Sequence, residues 1–230
     1  HSNSCLRSEP TYVDPNLGDD EFNTGSIDSP FLTITKALVS VAGSELAPVT
    51  IHLAEGTYSP STNGEVFPIE MISHINLIGQ GEEVTVLDAE QTGSVIIIKN
   101  SVNSTISNLT ITGGLETYGG GMLLFKSNPI LNNLTISKNT AVSSGGGILL
   151  QESNPTLTNI TISGNRANAH GGGIYLLQES NPTFSNMIIS ENIADSLGGG
   201  IVLQKSNPDL FNVTISENTA NIHGGGIFFI

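Results

Sequence analysis

From residue 101 onward, apolar residues occur in short stretches, such as Gly-Ile-Leu-Leu at 147–150 and Ile-Thr-Ile-Ser at 160–163. Stretches this short and this rich in β-branched residues predict strands rather than helices. Asparagine, proline and glycine stand between them, and these residues favour tight corners. The pattern therefore predicts units of several short strands joined by sharp bends.

These units repeat. A glycine triplet followed by an apolar residue occupies 119–122, 145–148, 171–174, 198–201 and 224–227, at steps of 26, 26, 27 and 26 residues. Each unit also contains an Asn-Pro pair and, eleven residues after the asparagine of that pair, a second asparagine. The two asparagines of each unit are Asn128 and Asn139, Asn154 and Asn165, Asn181 and Asn192, and Asn207 and Asn218. Such a period is typical of a solenoid. We predict an all-β fold, a right-handed parallel β-helix of about seven coils.

Strand alternation sorts the side chains of each unit. Two inward columns are predicted, namely Met122, Ile148, Ile174, Ile201 and Ile227, and Leu124, Leu150, Leu176, Leu203 and Phe229. The rest of the core is predicted to consist of Leu157, Ile160 and Ile162 and the equivalent residues of the other units. The asparagines at the corners should form hydrogen-bonded ladders from coil to coil. We expect a β-bulge near Leu176 and Leu177 to absorb the extra residue of the 27-residue step.

Between the two inward columns, alternation places an apolar stripe on the outer face, made of Leu123, Leu149, Tyr175, Val202 and Phe228. A contiguous apolar stripe is typical of an interaction surface. We predict binding of a polysaccharide or of another surface protein there, with Tyr175 and Phe228 as stacking planes. The alternative is that a loop or a neighbouring domain covers the stripe.

Residues 1–100 are less repetitive and are predicted to form an N-terminal cap and the first coils, followed by the regular repeats at 101–230. Thr33 can cap a helix that runs to about residue 42, with Ile34, Ala37, Leu38 and Val41 on one face. Strands are predicted at roughly 49–54, 75–78 and 84–87. A helix here would cover the open end of the solenoid, and we expect the coils to continue beyond residue 230.

The net charge of −14 lies mostly in the cap, because residues 1–100 hold fourteen acidic and three basic residues while 101–230 hold seven and four. This balance argues against a nucleic-acid partner, which requires a basic surface, and against unaided binding of acidic polysaccharides. No stretch is long and apolar enough to insert into a membrane. The single Cys5 excludes an internal disulfide, and the polar, lysine-poor composition favours a secreted or cell-surface location.

Catalytic and metal-binding chemistry is sparse in the pattern. The candidate cofactor is Ca²⁺, which takes oxygen ligands, and its candidate ligands are the cap residues Asp14, Asp19, Asp20 and Asp28. One position of the repeat is charged in four units and predicts a solvent-exposed column of charges at a corner, formed by Lys126, Glu152, Glu179 and Lys205. His170 and His223 are two coils apart, about 9.6 Å, which is too far for one metal ion. We identify no catalytic residues.

The N-terminal region resembles a known domain. Tyr12-Val13-Asp14, Thr33-Ile34-Thr35-Lys36-Ala37-Leu38, Glu55-Gly56-Thr57-Tyr58 and Leu77-Ile78-Gly79 are similar to the domain of unknown function that opens many bacterial pectin-lyase-like β-helix proteins. The run from Ile162 to Ile174 resembles repeats of bacterial surface proteins and of the chlamydial polymorphic outer-membrane proteins. The resemblance implies a right-handed parallel β-helix that is exported, and it implies no particular activity.

Two functional hypotheses follow. The first is a non-catalytic extracellular or cell-surface module for adhesion, display or a structural role. The alternative is a carbohydrate-active β-helix, either a polysaccharide-binding module or a lyase-like enzyme.

Overall fold

The computed structural model describes residues 6–230, so Cys5 lies outside the described residues. It contains one α-helix, α1 (Ile34–Ser40), and 22 strands in three sheets. One of the three sheets, sheet II, has seven parallel strands, one for each coil of the solenoid. The pairings between its strands are all parallel, which confirms the predicted parallel β-helix. A right-handed coil is the hand expected of parallel crossovers.

Sheet I has ten strands, β1 (Thr11–Val13), β2 (Val49–Leu53), β3 (Gly56–Tyr58), β5 (Ile75–Ile78), β6 (Thr85–Asp88), β8 (Thr105–Thr112), β11 (Ile130–Ser137), β14 (Thr156–Ser163), β17 (Thr183–Ser190) and β20 (Asp209–Ser216). Sheet II consists of β4 (Ile69–Met71), β7 (Ile96–Lys99), β10 (Met122–Phe125), β13 (Ile148–Gln151), β16 (Ile174–Leu177), β19 (Ile201–Gln204) and β22 (Ile227–Phe229). Sheet III consists of β9 (Leu115–Tyr118), β12 (Thr140–Ser144), β15 (Arg166–Ala167), β18 (Ile193–Ala194) and β21 (Thr219–Ala220).

The predicted inward columns form the core. Ile148 pairs with Met122 on one side and Ile174 on the other, and all three side chains are buried. The core cluster runs continuously from Val13 to Leu203, so the cap and the repeats share one hydrophobic interior. Phe229 keeps its register opposite Leu203 in the last coil and is 71% exposed. The division of the chain at residue 100 stays a prediction.

The asparagine ladder lies inside the coils, at the corner between sheets I and III. The Nδ2 of Asn139 donates to Oδ1 of Asn165 at 3.0 Å, and the Nδ2 of Asn165 donates to Oδ1 of Asn192 at 3.0 Å. All three side chains are fully buried. Each amide also bonds backbone groups, so the ladder satisfies polar atoms that would otherwise be costly to bury.

The expected bulge at Leu176 and Leu177 is wrong. Leu177 pairs in register with Gln151, so strand β16 continues without irregularity. The extra residue lies at the following corner, where Gln178 and Glu179 both have a positive φ, of 56° and 60°. The backbone N of Glu179 still donates to the carbonyl of Lys205 at 2.9 Å. The corner therefore takes up the extra residue by a second left-handed backbone position and keeps its bond to the next coil.

The cap helix begins as predicted and ends early. The Oγ1 of Thr33 accepts a hydrogen bond from the backbone N of Lys36, which is the expected N-cap. The helix ends at Ser40, because Val41 is already in extended backbone, although its side chain remains buried. Glu65, which the sequence did not single out, is 2% exposed and accepts bonds from the backbone N of Ile34 (2.6 Å) and of Thr35 (3.0 Å).

Candidate functional site

The outer face of sheet II carries a groove whose floor and wall are both built by the glycine-triplet repeat. The floor consists of the predicted stripe. The wall consists of the residues that immediately precede each triplet, namely Tyr118, Ser144, His170, Leu197 and His223. In every unit the first glycine of the triplet has a positive φ, between 61° and 73°. This conformation, which glycine adopts without strain, turns the chain sharply between wall and floor.

Close approach explains why the turn needs glycine. A Cβ at Gly198 would lie 2.3 Å from Cγ2 of the floor residue Val202, and one at Gly145 would lie 2.8 Å from Cβ of Leu149. Any larger residue would therefore push the floor side chain away. The triplet holds the wall directly against the floor.

The predicted exposure of the stripe is wrong, although its outward direction is correct. Leu149, Tyr175 and Val202 are 4%, 9% and 0% exposed, and they form a hydrophobic cluster separate from the core. Leu197 from the wall and Leu177 from the next outward column pack against this cluster, with Leu123 and Phe228 partly buried at its ends. The chain's own turn before each triplet thus covers much of the stripe, in agreement with the alternative that a loop covers it.

The cover is incomplete at one place. A cavity of about 470 Å³ opens beside Ser144, the smallest residue of the wall. It is lined by Tyr118, Leu123, Ser143, Ser144, Leu149, Gln151, His170, Tyr175 and Leu177. Its volume falls in the range of small-molecule binding sites, which combine an apolar lining with a few polar groups.

Polar groups at the rim are partly engaged. The hydroxyl of Tyr175 donates to Oε1 of Gln204, and Nε2 of Gln151 donates to Oε1 of Gln178. Burial raises the pKa of the Tyr175 hydroxyl, and the neighbouring phenol of Tyr118 raises it further. Both phenols line the same cavity.

His170 stands edge-on to Tyr175, with ring centroids 6.2 Å apart. Its Nδ1 is buried and has no hydrogen-bond partner among the described residues. A buried polar atom in this situation is normally satisfied by an ordered water or a ligand. Because Nδ1 is buried, His170 contributes the rest of its imidazole ring to the cavity lining.

Charged side chains of the coils lie outside the cavity. The guanidinium of Arg166 binds the carboxylate of Asp195 at 2.6 Å, across two neighbouring coils. The Nζ of Lys126 lies 3.5 Å from Oε2 of Glu152, as expected for the corner charge column. The cavity lining contains no lysine, arginine, aspartate or glutamate.

The calcium candidates are not brought together. The carboxylates of Asp14 and Asp19 each accept two backbone N–H groups of the following residues, and that of Asp20 accepts the backbone N of Leu32 and Thr33. Asp28 is exposed on the surface. Among residues 6–230, no group of three or more His, Cys, Asp or Glu side chains could hold a metal ion. The three carboxylates instead shape the turns of the cap.

Sequence reasoning identified the floor and placed His170, Leu197 and His223 in one column before the glycine triplets, but it did not recognise that column as a wall. Its members differ chemically, as tyrosine, serine, histidine and leucine, so they do not stand out as a column by composition. The signal was positional, since each directly precedes a glycine triplet.

Residues 17–226 match a family described as a protein of unknown function, DUF1565. The chain belongs to this family. The match includes most of the cap and all five glycine triplets. Comparison with curated protein sequences finds no match.

Solved structures similar to this member of the DUF1565 family are β-helix proteins. The pectate lyase Pel9A has a TM-score of 0.63 at 16% identity, over 94% of this chain and 60% of its own. A rhamnogalacturonan lyase has a TM-score of 0.53 at 15% identity, over 96% and 62%. The pectin methylesterase PemA from Erwinia chrysanthemi has a TM-score of 0.51 at 12% identity, over 84% and 69%.

At these identities the likeness establishes the pectin-lyase-like fold and no activity. The chain spans about 60% of the length of the two lyases. Among the described residues, no helix is both long and apolar enough to cross a membrane.

Proposed function

We propose that this chain is a non-catalytic glycan-binding module that acts outside the cell or at the cell surface. The observation that carries the proposal is the groove on sheet II, with its apolar floor, its aromatic wall and a cavity of about 470 Å³. Sugar rings present apolar faces edged with hydroxyls. A lining of Tyr118, Tyr175 and leucines, beside the amide of Gln151, offers matching stacking surfaces and hydrogen-bond groups.

Three structural neighbours are named as proteins that act on pectin or related polysaccharides, which supports a glycan as the ligand. An enzymatic role is the alternative. A lyase requires a basic group beside the bound sugar and a positive charge to stabilise the carboxylate of a uronate, and the cavity lining contains no lysine, arginine or cation-binding carboxylate. Arg166 and Lys126 are paired with Asp195 and Glu152 outside it. The proposal therefore assigns the groove to binding rather than to bond cleavage.

The test compares two substitutions that add the same charge. Leu123→Glu places a carboxylate on the floor of the groove, whereas Val142→Glu places one on sheet III, where Val142 is 55% exposed. On a polysaccharide array, the unmodified chain should bind at least one glycan. Leu123→Glu should weaken that binding by roughly tenfold or more, since an unpaired charge is costly in an apolar site, and Val142→Glu should leave it unchanged.

The melting temperatures of both variants, compared with that of the unmodified chain, test whether the fold is retained. If the unmodified chain binds no glycan, or if both variants bind equally well, the proposal is wrong. Absorbance of unsaturated uronates, measured with pectin and polygalacturonate, tests catalysis separately. Product formation that disappears in Leu123→Glu would assign the groove to a lyase instead.

A further inference from the structure

The cavity exists because the wall of the groove has a gap. Ser144 pairs with Tyr118 in the preceding coil, and the backbone N of Gly145 donates to the carbonyl of His170 in the following one. The rings of Tyr118 and His170 thus stand on either side of a small side chain. In the next two coils the wall carries Leu197 and His223, which close against Val202 and Phe228.

The width of the gap is set by the coil spacing. Tyr118 and His170 are two coils apart, which corresponds to about 9.6 Å along the axis. A ring packed between two others requires centroid separations of at least about 4.5 Å on each side. The gap therefore has the width for one six-membered ring. Leu149, 4% exposed, forms the floor beneath it.

The charges around the cavity determine which kind of sugar ring it can bind. The lining has no lysine or arginine to neutralise a carboxylate, and residues 101–230 hold seven acidic against four basic residues, so no positive field attracts a polyanion to the groove. Its uncharged polar groups are the hydroxyls of Ser143 and Ser144 and the amide of Gln151. These groups suit the hydroxyls of an uncharged sugar.

We propose that the cavity beside Ser144 is a subsite for one neutral sugar ring, held between Tyr118 and His170. This inference rests on the proposed function and deepens it, because it selects neutral glycans over uronates. It also assigns specificity to a wall position rather than to the apolar floor.

The experiment places a large side chain at the gap in the wall. Ser144→Tyr adds a ring at a wall position where Tyr118, His170 and His223 already carry rings, so the fold should accommodate it. Ser137→Tyr, on the outer face of sheet I, is the matched control. The probes are neutral hexasaccharides of glucose, mannose, xylose or galactose, together with hexagalacturonate, titrated calorimetrically at low salt.

At least one neutral probe should bind at least tenfold more tightly than hexagalacturonate. Ser144→Tyr should abolish this binding, Ser137→Tyr should leave it intact, and Tyr118→Ala should weaken it by up to about tenfold, the loss of one stacking contact. Stronger binding of hexagalacturonate would overturn the inference while leaving a glycan-binding function in place. So would neutral binding that survives Ser144→Tyr but is lost in Leu123→Glu. If no probe binds and the array is also negative, the proposed function and the inference both fail.

Discussion

The asparagines of the repeat contribute differently to stability, depending on whether their side chains are buried or exposed. Asn165 is fully buried, and its side chain makes four hydrogen bonds, two through Oδ1 with Asn139 and two through Nδ2 with Ile136 and Asn192. Asn159 belongs to an exposed ladder on sheet I and has a φ of 53°. Its main contribution is therefore a left-handed backbone that asparagine tolerates.

The first prediction contrasts these two asparagines. Asn165→Ala should lower the free energy of unfolding by roughly 3 kcal/mol or more, because it leaves buried partners in two neighbouring coils unsatisfied. Asn159→Gly should change it by no more than about 1 kcal/mol, since glycine accepts the same backbone conformation. Chemical denaturation of both variants measures the difference. Equal losses would mean that the buried ladder has no special role.

At the scale of elements, the cap helix depends on a carboxylate from a distant part of the chain. Glu65 accepts bonds from the first two backbone N–H groups of α1 and from the hydroxyl of Thr35 at 2.7 Å. Burial raises the pKa of the Glu65 carboxyl above its usual value, against the opposing effect of these bonds. The folded protein therefore holds the Glu65 proton more tightly than the unfolded chain does.

The sign of the pH effect follows from this shift. A carboxyl with a raised folded pKa adds stability below its unfolded pKa and loses that contribution as the pH rises through the folded value. Relative to Glu65→Gln, which does not titrate, the unmodified chain should gain roughly 2–4 °C in melting temperature as the pH falls from 7 to about 4.5. A difference that shrinks on acidification would show that the hydrogen bonds outweigh burial.

At the scale of the whole molecule, the coils behave as stacked units in which each contacts its neighbours. Stability in such proteins is approximately a sum of unit and nearest-neighbour contributions. Gly146 and Gly172 hold equivalent positions 26 residues apart. Removal of residues 146–171 would therefore join one coil directly to the next in register.

The protein that lacks residues 146–171 should still fold as a β-helix. Its circular dichroism spectrum should keep the β-sheet shape of the unmodified chain, and its thermal unfolding should remain cooperative. Deletion of residues 149–173, one residue fewer and joined inside strand β13, should lower the melting temperature and broaden the melt, because the extra residue turns the side chains that follow it in that strand to the opposite face. Thermal denaturation of the two variants checks the prediction. Similar melting behaviour would argue against a register shared by all coils.

The sequence by itself determined the coil, its register and its core. Strand formation depends on local alternation, and a period of 26 or 27 residues repeats the same local rules in each unit, so positions such as Ile148, Ile174 and Ile201 could be assigned inward from the chain alone. The N-cap at Thr33 was equally local. These features required no knowledge of distant contacts.

Only the tertiary structure decided what covers the outer stripe and where the cover fails. Alternation assigns Leu149 and Tyr175 to the outer face, but their burial depends on wall residues that the glycine turns bring back onto the floor. Glu65 reaches the cap helix across about 30 residues of chain, and the gap at Ser144 is defined by rings in the coils before and after it. The wall and floor residues that meet are five apart across a glycine turn, and the other contacts join residues far apart in sequence. Strand alternation encodes neither kind of contact.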